Sequence, residues 1–351
     1  MPPAPPAPAP APAPAPVPLP QVLRPAVPGY ALGAALGHEL GLAVLDTLHR
    51  REGDQRTLPA TEGDTAQAWA RVSGGQLRLG GARQFGASQS QGFLQIGRDL
   101  HTSHDGGDAD GTQSHTRTGV ALAVGEGRAD VYDRLRRAAG RGDTSGQVNT
   151  RMVALSAYHT RYNDEGGYLD LVGQVHQLRN SYRDMYGGST VQHGSGAALS
   201  AEAGRPWRIG ESRWSVEPQA QLRYMHTRYR GFSDAISAVD GQSAQSLRGR
   251  LGVRVALDRD AAARTPGAVE PFYVTADLLH DFKQPSGARV AGVWVGEQPG
   301  ARTWAELGIG AQRSLQPGVV LYGGLQVQHD LGGGAGRRSG VGGQLGLRAR
   351  W

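Results

Sequence analysis

The sequence predicts an all-β protein, a twelve-stranded antiparallel outer-membrane β-barrel preceded by one N-terminal α-helix. Three observations carry that expectation. After Ala66 the chain is a series of runs in which apolar and polar residues alternate, the period-two signature of strands with one apolar face. The runs number twelve, an even count, and the connections between them tend to alternate in length, as in closed barrels of bacterial outer membranes. The third observation is "GGQLGLRARW" at the end of the chain. There Leu345, Leu347, Ala349 and Trp351 share one face, and Gln344, Gly346, Arg348 and Arg350 share the other. Terminal residues of soluble domains are usually frayed and polar.

Composition fits this reading. Hydrophobic residues make up 38% of 351, below the roughly 45–50% of ordinary globular chains. A barrel with a wet interior needs only half of each strand apolar, so low hydropathy is compatible with order. With no cysteine, the chain has neither a disulfide framework nor a thiolate metal site. The net charge is +6, and Lys283 is the only lysine. Arginine forks suit carboxylate pairing in a polar lumen. Nucleic-acid binding is disfavoured because the charges are spread singly rather than gathered in a stripe.

Taken in order, residues 1–29 are a Pro/Ala-rich linker, expected to run as polyproline II without a core of its own. They carry no charged n-region and no apolar h-region, so no signal peptide is read there. A barrel requires one for export, and the chain is therefore expected to be the C-terminal part of a longer precursor. Residues 30–58 are expected to be helical, with Leu32, Leu36, Leu40, Val44 and Leu48 at four-residue spacing. From Tyr30 to about Arg56 such a helix would span roughly 39 Å, about one bilayer with its headgroups.

Residues 66–351 form the expected barrel, with strands near 67–79, 91–102, 116–126, 148–162, 166–180, 193–205, 212–229, 244–258, 269–283, 303–314, 319–329 and 340–351. Short turns are expected at 163–166, 205–212 and 315–318. Longer loops are expected at 127–147, 181–192, 230–243, 284–302 and 330–339, with 103–115 and 259–268 long on the short side. The clearest strand is "SLRGRLGVRVALD", where Leu247, Leu251, Val253, Val255 and Leu257 oppose Arg248, Arg250 and Arg254. Its predecessor sets Glu217, Gln219, Gln221 and Arg223 against Pro218, Ala220, Leu222 and Tyr224. Alternation alone fits a soluble sandwich equally well. Tryptophans and tyrosines near strand ends favour membrane-interface girdles.

The stretches "LHRREGDQR", "AWARVSGG", "FLQIGRDL", "GGYLDLVGQ", "EAGRPW", "VEPQAQLRY", "LRGRLGVRV", "EPFYVTADLLHDF", "ELGIGAQ", "LYGGLQVQHDLGG" and "GLRARW" follow one another in order. On these, the chain resembles the C-terminal translocator domain of monomeric autotransporters, the type V secretion family of pertactin-like kind, over about residues 30–351. The resemblance implies that the helix lies inside the barrel lumen and leads out to an N-terminal passenger at the cell surface. The lumen would then be lined by Glu217, Gln219, Gln221, Arg248, Arg250, Arg254, Asp277 and Glu306. The final strand, with Leu345, Leu347, Ala349 and Trp351, would be the signal read by the barrel-assembly machinery. Periplasmic chaperones, outer-membrane lipid and lipopolysaccharide are the other implied partners, and the expected form is a monomer. Family members that cut their own linker use an asparagine in the helix. No asparagine precedes Asn149, and Tyr30 stands near the expected place.

No cofactor and no metal is expected. "HTSHDGGDADGTQSH" gathers His101, His104, Asp105, Asp108, Asp110 and His115 but departs from the calcium-loop pattern and lacks its closing glutamate. "GRGDTSG" lacks the strained elbow of a nucleophilic serine, and its Arg141-Gly142-Asp143 triplet reads as loop sequence. His226 and His280 read as rim residues. The competing functions are an outer-membrane enzyme of omptin-like protease or lipid-hydrolase type, and a small-solute porin.

Overall fold

The computed structural model describes residues 22–54, 67–105, 114–257, 269–332 and 335–351. Twelve long strands close into one antiparallel ring. They are β1 (Gln67–Gly80), β2 (Phe85–Asp105), β3 (Ser114–Asp133), β4 (Thr144–Asn163), β5 (Tyr168–Asp184) and β6 (Ser189–Gly204), then β7 (Trp214–Tyr229), β8 (Gln242–Leu257), β9 (Val269–Lys283), β10 (Thr303–Gln316), β11 (Val319–Asp330) and β12 (Arg337–Arg350). Each strand pairs with the next, and β12 returns to β1 from Gln67 opposite Arg350 to Gly80 opposite Arg337. Closure leaves no free sheet edge, so every strand finds backbone partners on both sides.

The alternation read from sequence maps onto the two faces of this ring. Large aliphatic side chains stand exposed on the outside of every strand, from Val72 on β1 through Leu155 on β4 and Leu251 on β8 to Leu345 on β12. Leu251 is 65% exposed while Arg250 and Arg254 beside it are buried. An apolar belt of this extent on the exterior, around a polar interior, is the arrangement of a lipid-facing barrel and the reverse of a soluble sandwich. Trp207, Trp214, Phe272 and Trp351 are exposed near one rim, and Tyr186 and Phe282 near the other. Other aromatics depart from the expected girdle. Trp69, Tyr158, Tyr182, Tyr229, Trp304 and Tyr322 point inward, where the helix needs bulky partners.

The interior is occupied by α1 (Ala26–Leu45) and a short α2 (Leu48–Glu52). The helix begins at Ala26, four residues before the expected start, because Pro28 and Gly29 are absorbed in its first turn. There the missing proline N–H leaves no bond unmade. It is also broken rather than continuous to 58. Asp46 has a positive φ of 22° and ends α1, and the Thr47 hydroxyl caps α2 by accepting from the Arg50 N–H at 3.3 Å. Nearly all of α1 is buried, so it has no single apolar face; it is enclosed on every side. Residues 55–58 and most of the Pro/Ala tract lie outside the described residues.

Several strands are longer than expected at the rim where α1 begins. β2 starts at Phe85 rather than near 91, and β3 runs to Asp133 rather than 126. "GASQSQ" and "EGRADVYD" read as loop because their outward residues are polar, yet above the hydrocarbon an outward face has no need of apolar side chains. The expected loop at 181–192 is reduced to a tight turn at 185–188, and 127–147 to a connection holding α3 (Arg134–Ala138). The expected loops 230–243 and 284–302 instead build a small sheet from Phe232–Ser233, Ala238–Val239, Gly287–Val290 and Val293–Gly296. It covers the start of α1: Val239, Ala288 and Val290 share a buried cluster with Ala26, Val27 and Tyr30. Connections 106–113 and 258–268 lie outside the described residues.

Candidate functional site

The candidate site is the lumen itself. One wall is apolar. Along α1 Gly29, Gly33, Gly37 and Gly41 recur at four-residue spacing, and side chains of β4, β5, β7 and their neighbours press into that stripe. A Cβ on Gly33 would lie 2.3 Å from the Tyr182 hydroxyl, and one on Gly41 2.5 Å from the Met225 methyl. Only glycine admits so close an approach.

The opposite side is polar. Glu39, the one charged residue of α1, takes two guanidinium groups at once. Arg248 of β8 donates to it at 2.6 and 3.2 Å, and Arg338 of β12 at 2.7 and 3.0 Å. Arg248 also pairs with Asp281 at 2.6 Å, and both arginines lie over the Trp304 ring. A cavity of about 100 Å³ runs beside this clamp, lined among others by Glu39, Asp46, Arg50, Arg223, Arg250 and Glu306.

Further down, the end of α1 and the whole of α2 are held by charge. Arg50 reaches Glu306 at 2.5 Å, His49 lies 2.7 Å from Glu217, and Arg254 bonds Asp54 at 2.7 Å. Arg51 forks onto Asp170 at 2.8 and 2.9 Å, with 2% exposure on each side chain. Carbonyls at the ends of the two helices and in the link between them are met by donors from the wall. Arg223 donates to the Leu42 carbonyl, Arg71 to Val44, Gln221 to Asp46, Tyr322 to Arg51 and Arg348 to Glu52. Buried cations at helix C-termini offset both the missing hydrogen bonds and the negative end of the dipole.

All eight polar residues singled out in the sequence are buried within the ring. Glu217, Arg248 and Glu306 touch the helices directly, while Gln221 and Arg254 hold the flanking residues Asp46 and Asp54. Arg250, Gln219 and Asp277 form a network behind them, with Arg250 donating to Asp277 at 2.6 Å and to Gln219 at 2.9 Å. Sequence reasoning missed Glu39, Arg71, Asp170, Arg338 and Arg348. Strand parity could have found Asp170, because in "YLDLVGQ" it shares the inward face with Tyr168, Val172 and Gln174. Leu345 and Leu347 stand exposed on the outer face, Ala349 is half-exposed, and Trp351 follows the end of β12. His226 and His280 are half-buried on the outward parity, His280 against Phe282. Among the described residues no group of three potential ligands is placed to hold a metal. Asp108 and Asp110 lie outside the described residues.

Comparison with known proteins decides the family. The family model described as the autotransporter beta-domain matches residues 68–326. The chain belongs to the autotransporter β-domain family. Over 93% of its length this β-domain is 26% identical to the adhesin BmaC autotransporter of Brucella suis, of which it spans 10%. Among solved structures, its fold superposes on the transport unit of the Escherichia coli autotransporter AIDA-I with a TM-score of 0.70. That match has 15% identity and covers 94% of this chain and all of that one. The translocator domain of NalP from Neisseria meningitidis gives a TM-score of 0.60 at 14% identity, over 90% of this chain and 94% of that one. As an autotransporter β-domain, the chain is an integral outer-membrane barrel with a translocator role.

Proposed function

We propose that this β-domain exports and then anchors an N-terminal passenger, and that α1 is the segment left in the pore when transport ends. The observation that carries the reading is the direction of the helix. The chain passes from the capped rim, at Ala26, down the lumen to α2 and then to β1, which starts at the opposite rim. Anything preceding Ala26 therefore leaves at the capped rim, which in this reading faces the cell exterior. The Pro/Ala tract as far as residue 25 is the spacer to the passenger, the plug begins at Ala26 rather than at 30 and ends within the segment expected to close at 58, and 66–351 are the translocator. The eight lumen residues and their network seat the plug and stand for no catalysis. Leu345, Leu347, Ala349 and Trp351 form the strand recognised during barrel assembly, where an alternating segment can add to an open sheet edge.

The test is a reporter epitope fused before residue 22 in cells expressing the chain behind a signal peptide. The reading expects the epitope to be stained by antibody on intact cells and removed by external protease. Staining only after outer-membrane permeabilisation would refute it. The porin reading is disfavoured by the filled lumen, and the hydrolase reading by a polar network whose carboxylates are held by arginines.

A further inference from the structure

The outer surface of the barrel is not uniform. On β3 to β7, toward the capped rim, Arg128, Arg151, Arg179, Arg183, His193 and Arg228 are exposed and all point outward. Arg151 is directly opposite Arg179, and Arg179 is directly opposite His193. Arg228 faces Ser195, two residues from His193, and Arg128 faces Asn149, two residues from Arg151. Like charges set across from one another destabilise a sheet unless something neutralises them. Glu126 stands opposite Arg151, but among the described residues none of these five arginines makes an ion pair. Two residues further along β4 the lipid-facing belt begins with Val153, opposite Val124; on β5 and β6 Gln177 and Ser195 intervene, and the belt begins four residues on with Val175 and Ala197, continuing with Leu155 and Leu199. On the strands across the ring the comparable positions carry Gln245, Phe282, Thr303 and Ser339, and the exposed cations there stand singly: Arg78 is opposite Ser339, Lys283 opposite Leu247, and Arg337 opposite Gly80 and paired with Asp330.

A row of guanidinium groups bordering an apolar belt fits an amphiphile with a phosphorylated head. Guanidinium forks pair with phosphate in bidentate fashion. Neighbouring strands are about 4.8 Å apart, so the row from β4 to β6 spans ~10 Å, the scale of a headgroup with two phosphates. We propose that this patch binds a phosphorylated glycolipid of the outer leaflet, with its phosphates on Arg151 and Arg179 and its acyl chains along Val153, Leu155 and Val175. The proposal rests on the orientation given above, since the patch lies at the rim assigned to the exterior.

The experiment is native mass spectrometry of the full chain in detergent, titrated with bis-phosphorylated lipid A or its enzymatically dephosphorylated form. The wild type is expected to retain the phosphorylated lipid and not the other. Arg151→Gln/Arg179→Gln is expected to lower retention by about tenfold or more, the loss of at least one charge-assisted contact. Arg98→Gln, outward on the other half of β2, is expected to leave it unchanged. Folding of each variant is read from heat-modifiable migration in electrophoresis. If the double variant misfolds, Arg151→Gln and Arg179→Gln are measured singly and each is expected to weaken retention. Equal retention by folded variants, or equal retention of the dephosphorylated lipid, overturns the proposal. An inverted barrel would instead appear as the failed surface-epitope test with lipid selectivity intact.

Discussion

Glu39→Gln is the sharpest perturbation of the plug. The carboxylate holds Arg248 and Arg338 through four hydrogen bonds, and its side chain is 12% exposed. A glutamine offers one acceptor oxygen and turns a donor toward a guanidinium. Arg248 keeps Asp281, and Arg338 keeps Gln328 and the Trp304 ring 3.9 Å away. Breaking a buried ion pair costs roughly 3–5 kcal/mol, and the adjoining cavity, polar and able to hold water, argues for the low end. At about 1.4 kcal/mol per tenfold, a loss near 3 kcal/mol raises the unplugged population about a hundredfold. Single-channel recording in planar bilayers measures this directly as the fraction of time spent in the open level. Because both arginines share one partner, Arg338→Gln added to Glu39→Gln should cost less than the sum of the two. Wild-type opening in folded Glu39→Gln would refute the claim that this clamp seats the helix.

Gly33→Leu should force α1 off the β5 wall, because its Cβ meets the Tyr182 hydroxyl at 2.3 Å, and Tyr182→Ala should restore the plug; unfolding temperature by heat-modifiable migration reports both. Val253→Arg sets a charge in the apolar belt and should destabilise the barrel by about 2–4 kcal/mol if near the bilayer midplane, measured by denaturant unfolding in vesicles. Asp234 joins the covering sheet to the helix, accepting from Arg24 and Tyr30 at 2.6 Å each. Burial alone would raise its pKa, but hydrogen bonds from Tyr30, the Ser237 and Ile236 N–H groups and Arg24 outweigh it and hold the carboxyl well below the usual range. Its stabilising contribution is therefore complete above the unfolded value of about 3.9 and is lost as pH falls below that toward the folded one. Protease nicking of 230–241 should stay constant from neutral pH to about 5 and rise only in stronger acid. In Asp234→Asn it should already be high at neutral pH.

What was legible in the sequence follows from what is local. Strand parity is a period-two property, so the faces of β7 and β8, the outward Leu345 and Leu347, and the inward Arg248, Arg250 and Arg254 could be assigned without coordinates. Strand ends above the membrane could not, because the lipid no longer selects the outward residues of β2 and β3. The partners of Glu39 come from β8 and β12, more than two hundred residues away, and no local pattern links them. Asp46–Thr47 carried the residue types of a helix stop and restart, but the leucine spacing continued through them to Leu48 and masked the break. The covering sheet was hidden for a different reason. Its strands are two to four residues long and are stabilised by packing on Ala26, Val27 and Tyr30 rather than by their own pattern.

The central claim is that a closed, lipid-facing ring encloses a seated helix. Conductance of the full chain, compared with the same chain lacking residues 1–56, tests it most directly. The account predicts small or rare openings for the full chain and a larger, persistent conductance after the deletion. Equal conductance of the two, with both folded, would contradict it.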